Sequence, residues 1–145
     1  MGLASSIGLG LALCLPDRQI VVIDGDGSVL MNLGTLSTMA RYRPSNLVHL
    51  IFDNERLLSV GGFPTATSTG TDLEGIARAA GVQHATTVNE VEVLGDVFTE
   101  AVETDALSVV VAKVDAIGPT SFQMDIGLLE NRFQFERYIK ELRSQ

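Results

Sequence analysis

The sequence predicts an α/β domain with an open, mostly parallel sheet and helices on both faces. Short β-branched apolar runs recur at Ile20–Ile23, Leu47–Phe52 and Leu107–Val114, the pattern of parallel strands buried on both sides. Segments with apolar residues at helical spacing separate them, as strand–helix–strand crossovers require. The first two runs end in Asp24-Gly25-Asp26-Gly27 and Asp53-Asn54, residue types that stop strands and open turns.

At 145 residues the chain is long enough for one domain, residues 1–145, with a real core. The net charge of −8 argues against nucleic acid or an anionic membrane surface as partner. A single cysteine, Cys14, builds no disulfide framework, reads as a small buried apolar residue and fits a reducing compartment, so the expected location is cytoplasmic.

Taken in order, Met1–Pro16 is apolar but lacks a basic leader and is too short to span a bilayer. It reads as a helix whose small residues Gly2, Ala4, Ser5, Ser6, Gly8 and Gly10 permit close packing on a neighbour. The first strand follows. From Val29 to Arg41, apolar residues at Val29, Leu30, Leu33, Leu36 and Met39-Ala40 predict one helix ended by Pro44, with Met31 and Met39 as core fillers. After the second strand, Glu55 to Gly70 reads as a polar loop of functional length. Thr71-Asp72-Leu73-Glu74 is a capping box for a helix to Ala80, closed by Gly81. His84–Val88 is the next strand, Asn89 caps a helix to about Glu103, and Leu107–Val114 is the last strand. His49 and His84 read as satisfied strand histidines. The tail, with Ile126, Leu129, Phe133, Phe135, Tyr138, Ile139 and Leu142 among charges, predicts a surface helix that packs on this domain or on a partner.

The first crossover places Asp26 and Asn54 together at the carboxyl end of the sheet, where open α/β sheets bind ligands, so they can share one hard cation. Gly25 and Gly27 permit positive φ and close approach of an anion. Ser28 opens a helix whose free N–H groups suit a phosphate. No Lys or Arg occurs between Gln19 and Ala40, so backbone dipoles and a metal must balance any phosphate. The Gly-Lys-Ser/Thr ending of an ATP-type loop and the third glycine of a dinucleotide fingerprint are both absent.

Gly25-Asp26-Gly27, twenty-five residues from Ser28 to Phe52, then Asp53-Asn54 resembles the diphosphate-binding motif of thiamine diphosphate enzymes. Asp53 departs from the asparagine usual there. The resemblance implies Mg²⁺ held by Asp26, the Asn54 side-chain oxygen and the main-chain carbonyl of Arg56, with diphosphate oxygens completing the shell. It also implies that Gly25, Gly27 and Ser28 border the diphosphate, and that Met1 is the apolar wedge that bends the cofactor. In phosphonopyruvate and sulfopyruvate decarboxylases a Ser-Thr-Gly-Gly-Gln-x-Thr loop covers the cofactor. The similar segment here is Ser59-Val60-Gly61-Gly62-Phe63-Pro64-Thr65, with Val60 and Phe63 replacing two polar residues.

The implied activity is decarboxylation of a small 2-oxoacid, the cofactor taking up the electrons as CO₂ leaves. The glutamate that activates the aminopyrimidine belongs in this family to a separate pyrimidine-binding domain, and Glu55, Glu74, Glu90 and Glu92 are not placed for it. The resemblance therefore implies an alpha subunit or partner domain and a dimer or larger assembly; since relatives carry several tens of residues before the position of Met1, it also implies a truncated domain or a late-assigned start, with truncation the favoured expectation. The other readings are the beta subunit of a thiamine diphosphate-dependent 2-oxoacid oxidoreductase, disfavoured by the lack of cluster cysteines, an acetolactate synthase-like carboligase, and a non-catalytic Mg²⁺ or nucleotide-binding receiver-like domain.

Overall fold

The computed structural model describes residues 1–118 and 127–143. In chain order the elements are α1 Ala4–Cys14, β1 Ile20–Gly25, α2 Asp26–Leu30, α3 Gly34–Tyr42 and β2 Leu47–Asp53. A two-residue hairpin of β3 Arg56–Leu57 and β4 Phe63–Pro64 follows, then α4 Leu73–Ala80, β5 His84–Val88, α5 Val91–Glu103, β6 Ser108–Lys113 and α6 Leu128–Leu142. The four long strands form a wholly parallel sheet in the order β1-β2-β6-β5, with Val22 opposite His49 and Leu50 opposite Val110.

The chain crosses from β1 to β2 and from β2 to β5 in one direction, then turns back from β5 to β6. A right-handed crossover must change face when its direction reverses. Accordingly Leu9, Leu36, Met39, Leu73 and Ala77, from α1, α3 and α4, pack with Leu47, Ile51 and Val109 on one face. Leu94, Val97, Phe98 and Ala101 of α5 pack with Val48, Leu50 and Val110 on the other. Each such fully buried Leu, Ile or Val stabilises the fold by about 1.5–3 kcal/mol relative to its exposed state. Gly8 belongs to this packing: a Cβ there would stand 2.0 Å from Val22 Cγ2, so α1 lies on β1 only because position 8 has none.

Several expectations need correction. β1 is not buried on both faces: Val21 and Ile23 are exposed at 40% and 66%, because α5 covers β2, β6 and β5 and stops short of this edge strand. The helix expected from Val29 to Arg41 is two helices, α2 and α3, joined by a tight turn in which Met31 N donates to Ser28 O and Asn32 N to Val29 O. Asn32 causes the break, since its Nδ2 is drawn away to Gly2 O and Ser6 Oγ. Met39 is a core filler, but Met31 is exposed on that turn. Cys14 is exposed as well, on the outer side of α1. The N-cap of α4 is Asp72, which accepts from Gly75 N at 2.9 Å, one residue later than the Thr71 box predicts. Gly81 closes α4 in the left-handed region as expected.

Helix α6 has no buried residue, Ile139 and Leu142 being half-buried and the rest exposed; Ile126 lies outside the described residues. Among the described residues no helix is long and apolar enough to cross a membrane.

Candidate functional site

Asp26 is the first residue of α2, directly after β1, and its side chain is turned inward and 1% exposed. Burying a carboxylate is costly unless hydrogen bonds replace its water. Here the segment after the β3–β4 hairpin folds back to supply them. Thr65 Oγ1 donates to Asp26 Oδ2 at 2.5 Å and Thr67 Oγ1 reaches the same oxygen at 3.0 Å. Thr67 also donates to Asp53 Oδ1 at 2.8 Å, so two buried carboxylates are bridged by one hydroxyl.

Asp53 ends β2 and is 2% exposed. Its Oδ2 lies 2.8 Å from Lys113 Nζ, and Lys113 also reaches Glu55 Oε1 at 3.1 Å. Burial pulls the Lys113 pKa down, but the Asp53 and Glu55 carboxylates outweigh it and hold the ammonium above its usual range. Among the described residues no ion pair reaches Asp26.

The glycines act differently from the prediction. Neither Gly25 nor Gly27 has positive φ; Gly25 is extended and Gly27 lies inside α2. What position 27 requires is room, since a Cβ would meet Leu57 Cδ2 at 2.3 Å and Thr65 Cγ2 at 3.2 Å. Gly25 has open space before its missing Cβ, where a ligand can reach the backbone. Ser28 does not open the helix either: its hydroxyl sits in the third position of α2 and accepts from Gly2 N at 3.0 Å.

That bond seats the first residues of the chain over α2. Met1 Sδ lies 3.6 Å from Ser59 Oγ, so the structure brings together Met1, Ser28 and Ser59, three predicted site residues from separate segments. Val60 stands beside them on the turn after β3, and Met1, Leu58, Val60 and Phe63 form an exposed apolar surface. Asn54 and Arg56 line a separate cleft of about 790 Å³, bordered by the loops after β2, β5 and β6, where the crossovers leave toward opposite faces. Asn54 Oδ1 accepts from Arg56 N at 3.0 Å, which fixes the turn. Asp26 does not line that cleft; it meets the Asn54 turn through Thr67 and Asp53.

Beneath the site, His49 is fully buried but not satisfied. Neither ring nitrogen has a hydrogen bond, and the nearest charge is Asp24 Oδ2, 3.5 Å from Nε2. Burial alone would raise the Asp24 pKa, yet the His49 ring, the Ser28 hydroxyl and the Gly25 N–H together lower it below its ordinary value. His84 is exposed at the start of β5.

Sequence reasoning missed Thr65 and Thr67 as carboxylate partners, because a Thr/Ser/Ala/Gly run has no periodicity to read. It also missed Lys113, for which a signal existed: a lone basic residue closing an otherwise apolar strand at the ligand end of the sheet.

A doubly wound sheet that gathers a glycine-flanked carboxylate, a hydroxyl bracket and the chain's first residues at its carboxyl end is a cofactor-binding α/β domain. Comparison with known proteins gives the family. Residues 1–112 match the family described as "Thiamine pyrophosphate enzyme, C-terminal TPP binding domain", and the chain belongs to it. It is 40% identical over 140 residues to the sulfopyruvate decarboxylase subunit beta of Methanocaldococcus jannaschii, covering 97% of this chain and 73% of that one. It is 44% identical over 110 residues to the phosphonopyruvate decarboxylase of Streptomyces viridochromogenes, there covering 76% of this chain and 27% of the relative. Among solved structures, the thiamine diphosphate-dependent 4-hydroxybenzoylformate decarboxylase of Rhodococcus jostii RHA1 superposes with a TM-score of 0.67 at 26% identity, over 79% of this chain and 23% of that one.

Proposed function

We propose that this chain, residues 1–145 as one domain, is the diphosphate-binding part of a cytoplasmic thiamine diphosphate- and Mg²⁺-dependent 2-oxoacid decarboxylase, completed by a pyrimidine-binding alpha subunit or domain. The observation that carries the reading is the charge balance around Asp26. Two buried carboxylates share one hydroxyl, and the lysine among them pairs with Asp53. Among the described residues no cation pairs with Asp26, and a divalent cation held there beside a diphosphate would balance the carboxylate. The donors fit magnesium, being all hard oxygens: one Asp26 carboxylate oxygen, the Asn54 amide oxygen and the Arg56 carbonyl.

Bound thiamine diphosphate supplies the electron sink for decarboxylation. The residues of this chain hold and orient it. Thr65 and Thr67 both use Asp26 Oδ2, and we assign Oδ1 to the cation. Gly25 leaves the backbone open to the diphosphate, while Gly27 lets Leu57 and Thr65 close on α2 and Ser28 anchors Gly2 N beside it. Met1, held against Ser59, supplies an apolar wall for the cofactor, and Val60 extends it. The M. jannaschii relative is named as a beta subunit of a sulfopyruvate decarboxylase, and sulfopyruvate is the substrate we expect to be turned over, ahead of phosphonopyruvate and pyruvate.

No group in this set moves a proton at the aminopyrimidine, and acid–base assistance needs a group within hydrogen-bond reach. The partner must bring it, docking on the exposed surface of Met1, Leu58, Val60 and Phe63 and forming a dimer or larger assembly. The test is CO₂ release from the three 2-oxoacids with saturating thiamine diphosphate and Mg²⁺, with and without the partner. Turnover only with the partner is expected. Full turnover by this chain alone would overturn the division of labour.

A further inference from the structure

The motif position held by Asp53 departs from the family pattern, and the departure puts a second buried carboxylate next to Asp26, the two sharing the Thr67 hydroxyl. Backbone geometry supplies the answer to it. Asp53 and Lys113 are register partners at the last rung of the β2–β6 ladder, so their side chains leave the sheet on the same face. Val114 N donates to Asp53 O at 3.1 Å and locks that rung. The two oxygens of Asp53 are then divided. Oδ2 takes Lys113 Nζ at 2.8 Å, while Oδ1 takes Thr67 Oγ1 at 2.8 Å and Glu55 N at 3.2 Å.

Counting hydroxyl protons shows what the lysine does. Thr65 and Thr67 own one O–H proton each, yet besides their 2.8 Å contact with each other they serve three carboxylate contacts: Thr65 to Asp26, Thr67 to Asp26 and Thr67 to Asp53. A carboxylate already supplied by an ammonium and a backbone N–H competes weakly for the Thr67 proton. One stripped of its ammonium competes strongly.

We propose that Lys113 is a positioning residue for the diphosphate and cation site, satisfying Asp53 so that Thr67 and Thr65 both hold Asp26 Oδ2 and aim its other oxygen at the cation. The proposal rests on the reading of Asp26 as a magnesium ligand. Lys113 pairs directly with Asp53 and Glu55. It acts through Asp53 and Thr67, and its place is set by strand register.

The test is a double-mutant cycle in the full chain with its partner, reading thiamine diphosphate affinity with and without Mg²⁺ by calorimetry. Lys113→Met is expected to weaken Mg²⁺-dependent binding by about tenfold or more, and Lys113→Arg to restore most of it. In an Asp53→Asn background, where no buried charge needs an ammonium, Lys113→Met is expected to change affinity by less than about threefold. This arm stands even where Lys113→Met alone does not fold. A folded Lys113→Met protein with wild-type Mg²⁺-dependent affinity would overturn the proposal, as would an equal loss in both backgrounds. If the wild-type assembly shows no Mg²⁺-dependent binding, it is the reading of Asp26 that fails. The bracket is then decided by the crystal structure of the Lys113→Met protein: Asp26 swung away from Thr67 supports it, and an unmoved Asp26 overturns it.

Discussion

Asp26 and Asp53 are 1% and 2% exposed, while Met1, Phe63 and Val60, across the same hairpin, are 69%, 65% and 46% exposed. The polar half of the site is therefore hidden and the apolar half is bare, the reverse of an ordinary soluble surface. The polar half completes itself: Thr65, Thr67, Glu55 N and Lys113 answer the two carboxylates from within the chain. The apolar half has no such closure, and its residues come from the chain's first residue and a hairpin tip. A site whose carboxylates are hydrogen-bonded from within, whose Asp26 still lacks a cation and whose apolar wall is open fits a place between two domains, with this one bringing the electrostatics.

The largest expected stability effect follows from breaking the closed half. Thr67→Val keeps the shape but removes the hydroxyl shared by Asp26 and Asp53, and each carboxylate loses a buried partner. A loss of about 1–3 kcal/mol is expected, seen as a lower denaturation midpoint with an unchanged m-value. A change below a few tenths would mean that the bracket does not hold the carboxylates.

The closed half should also give the molecule an acid limit. The Asp24 pKa is lowered from 3.8 in the folded state, burial being outweighed by His49, Ser28 and Gly25 N–H. A group whose folded pKa is depressed contributes stability that is present above its unfolded value and lost as pH falls through the folded one. Stability is thus expected to decline below pH 3.8, and His49→Leu, which removes one of these causes, should flatten that decline. Urea titrations at a series of pH values check both points. An acid limb unchanged by the substitution would remove His49 from the account.

The smallest effect on folding is expected at the open half. Leu58→Ser, at an exposed position on the apolar surface, should change stability by no more than about 0.5 kcal/mol. Yet it should weaken association with the pyrimidine-binding partner, measured by sedimentation. A large loss of stability with intact association would show that this surface serves the fold and not an interface.

The contrast also explains what could be read from the sequence. The strands, the α/β class and the ligand end of the sheet were legible because Ile20–Ile23, Leu47–Phe52 and Leu107–Val114 carry their own local pattern of burial. Asp26 and the Asn54 turn were legible because glycines and strand ends punctuate them. The bracket was not, because Thr65 and Thr67 meet Asp26 across 39 and 41 residues and nothing local marks a threonine that folds back. The break at Met31–Leu33 was hidden for a similar reason. Its apolar residues continue the helical spacing, and the turn is imposed by Asn32 bonding to Gly2 and Ser6, 30 and 26 residues upstream. Ile23 was misread because a β-branched run looks the same at the centre of a sheet and at its edge.

The central claim is that Asp26 binds a magnesium ion that bridges to the diphosphate. Calorimetric titration of thiamine diphosphate into the wild-type protein and into Asp26→Ala, each with and without Mg²⁺, tests it most directly. The Asp26→Ala protein should stay folded, because Thr65 and Thr67 can bond to each other at 2.8 Å and Thr67 keeps Asp53. Circular dichroism verifies this before the titration. The expected result is binding by the wild type that depends on Mg²⁺ and is abolished by the substitution. Equal affinity with and without Mg²⁺, or undiminished Mg²⁺-dependent binding by folded Asp26→Ala, would contradict it.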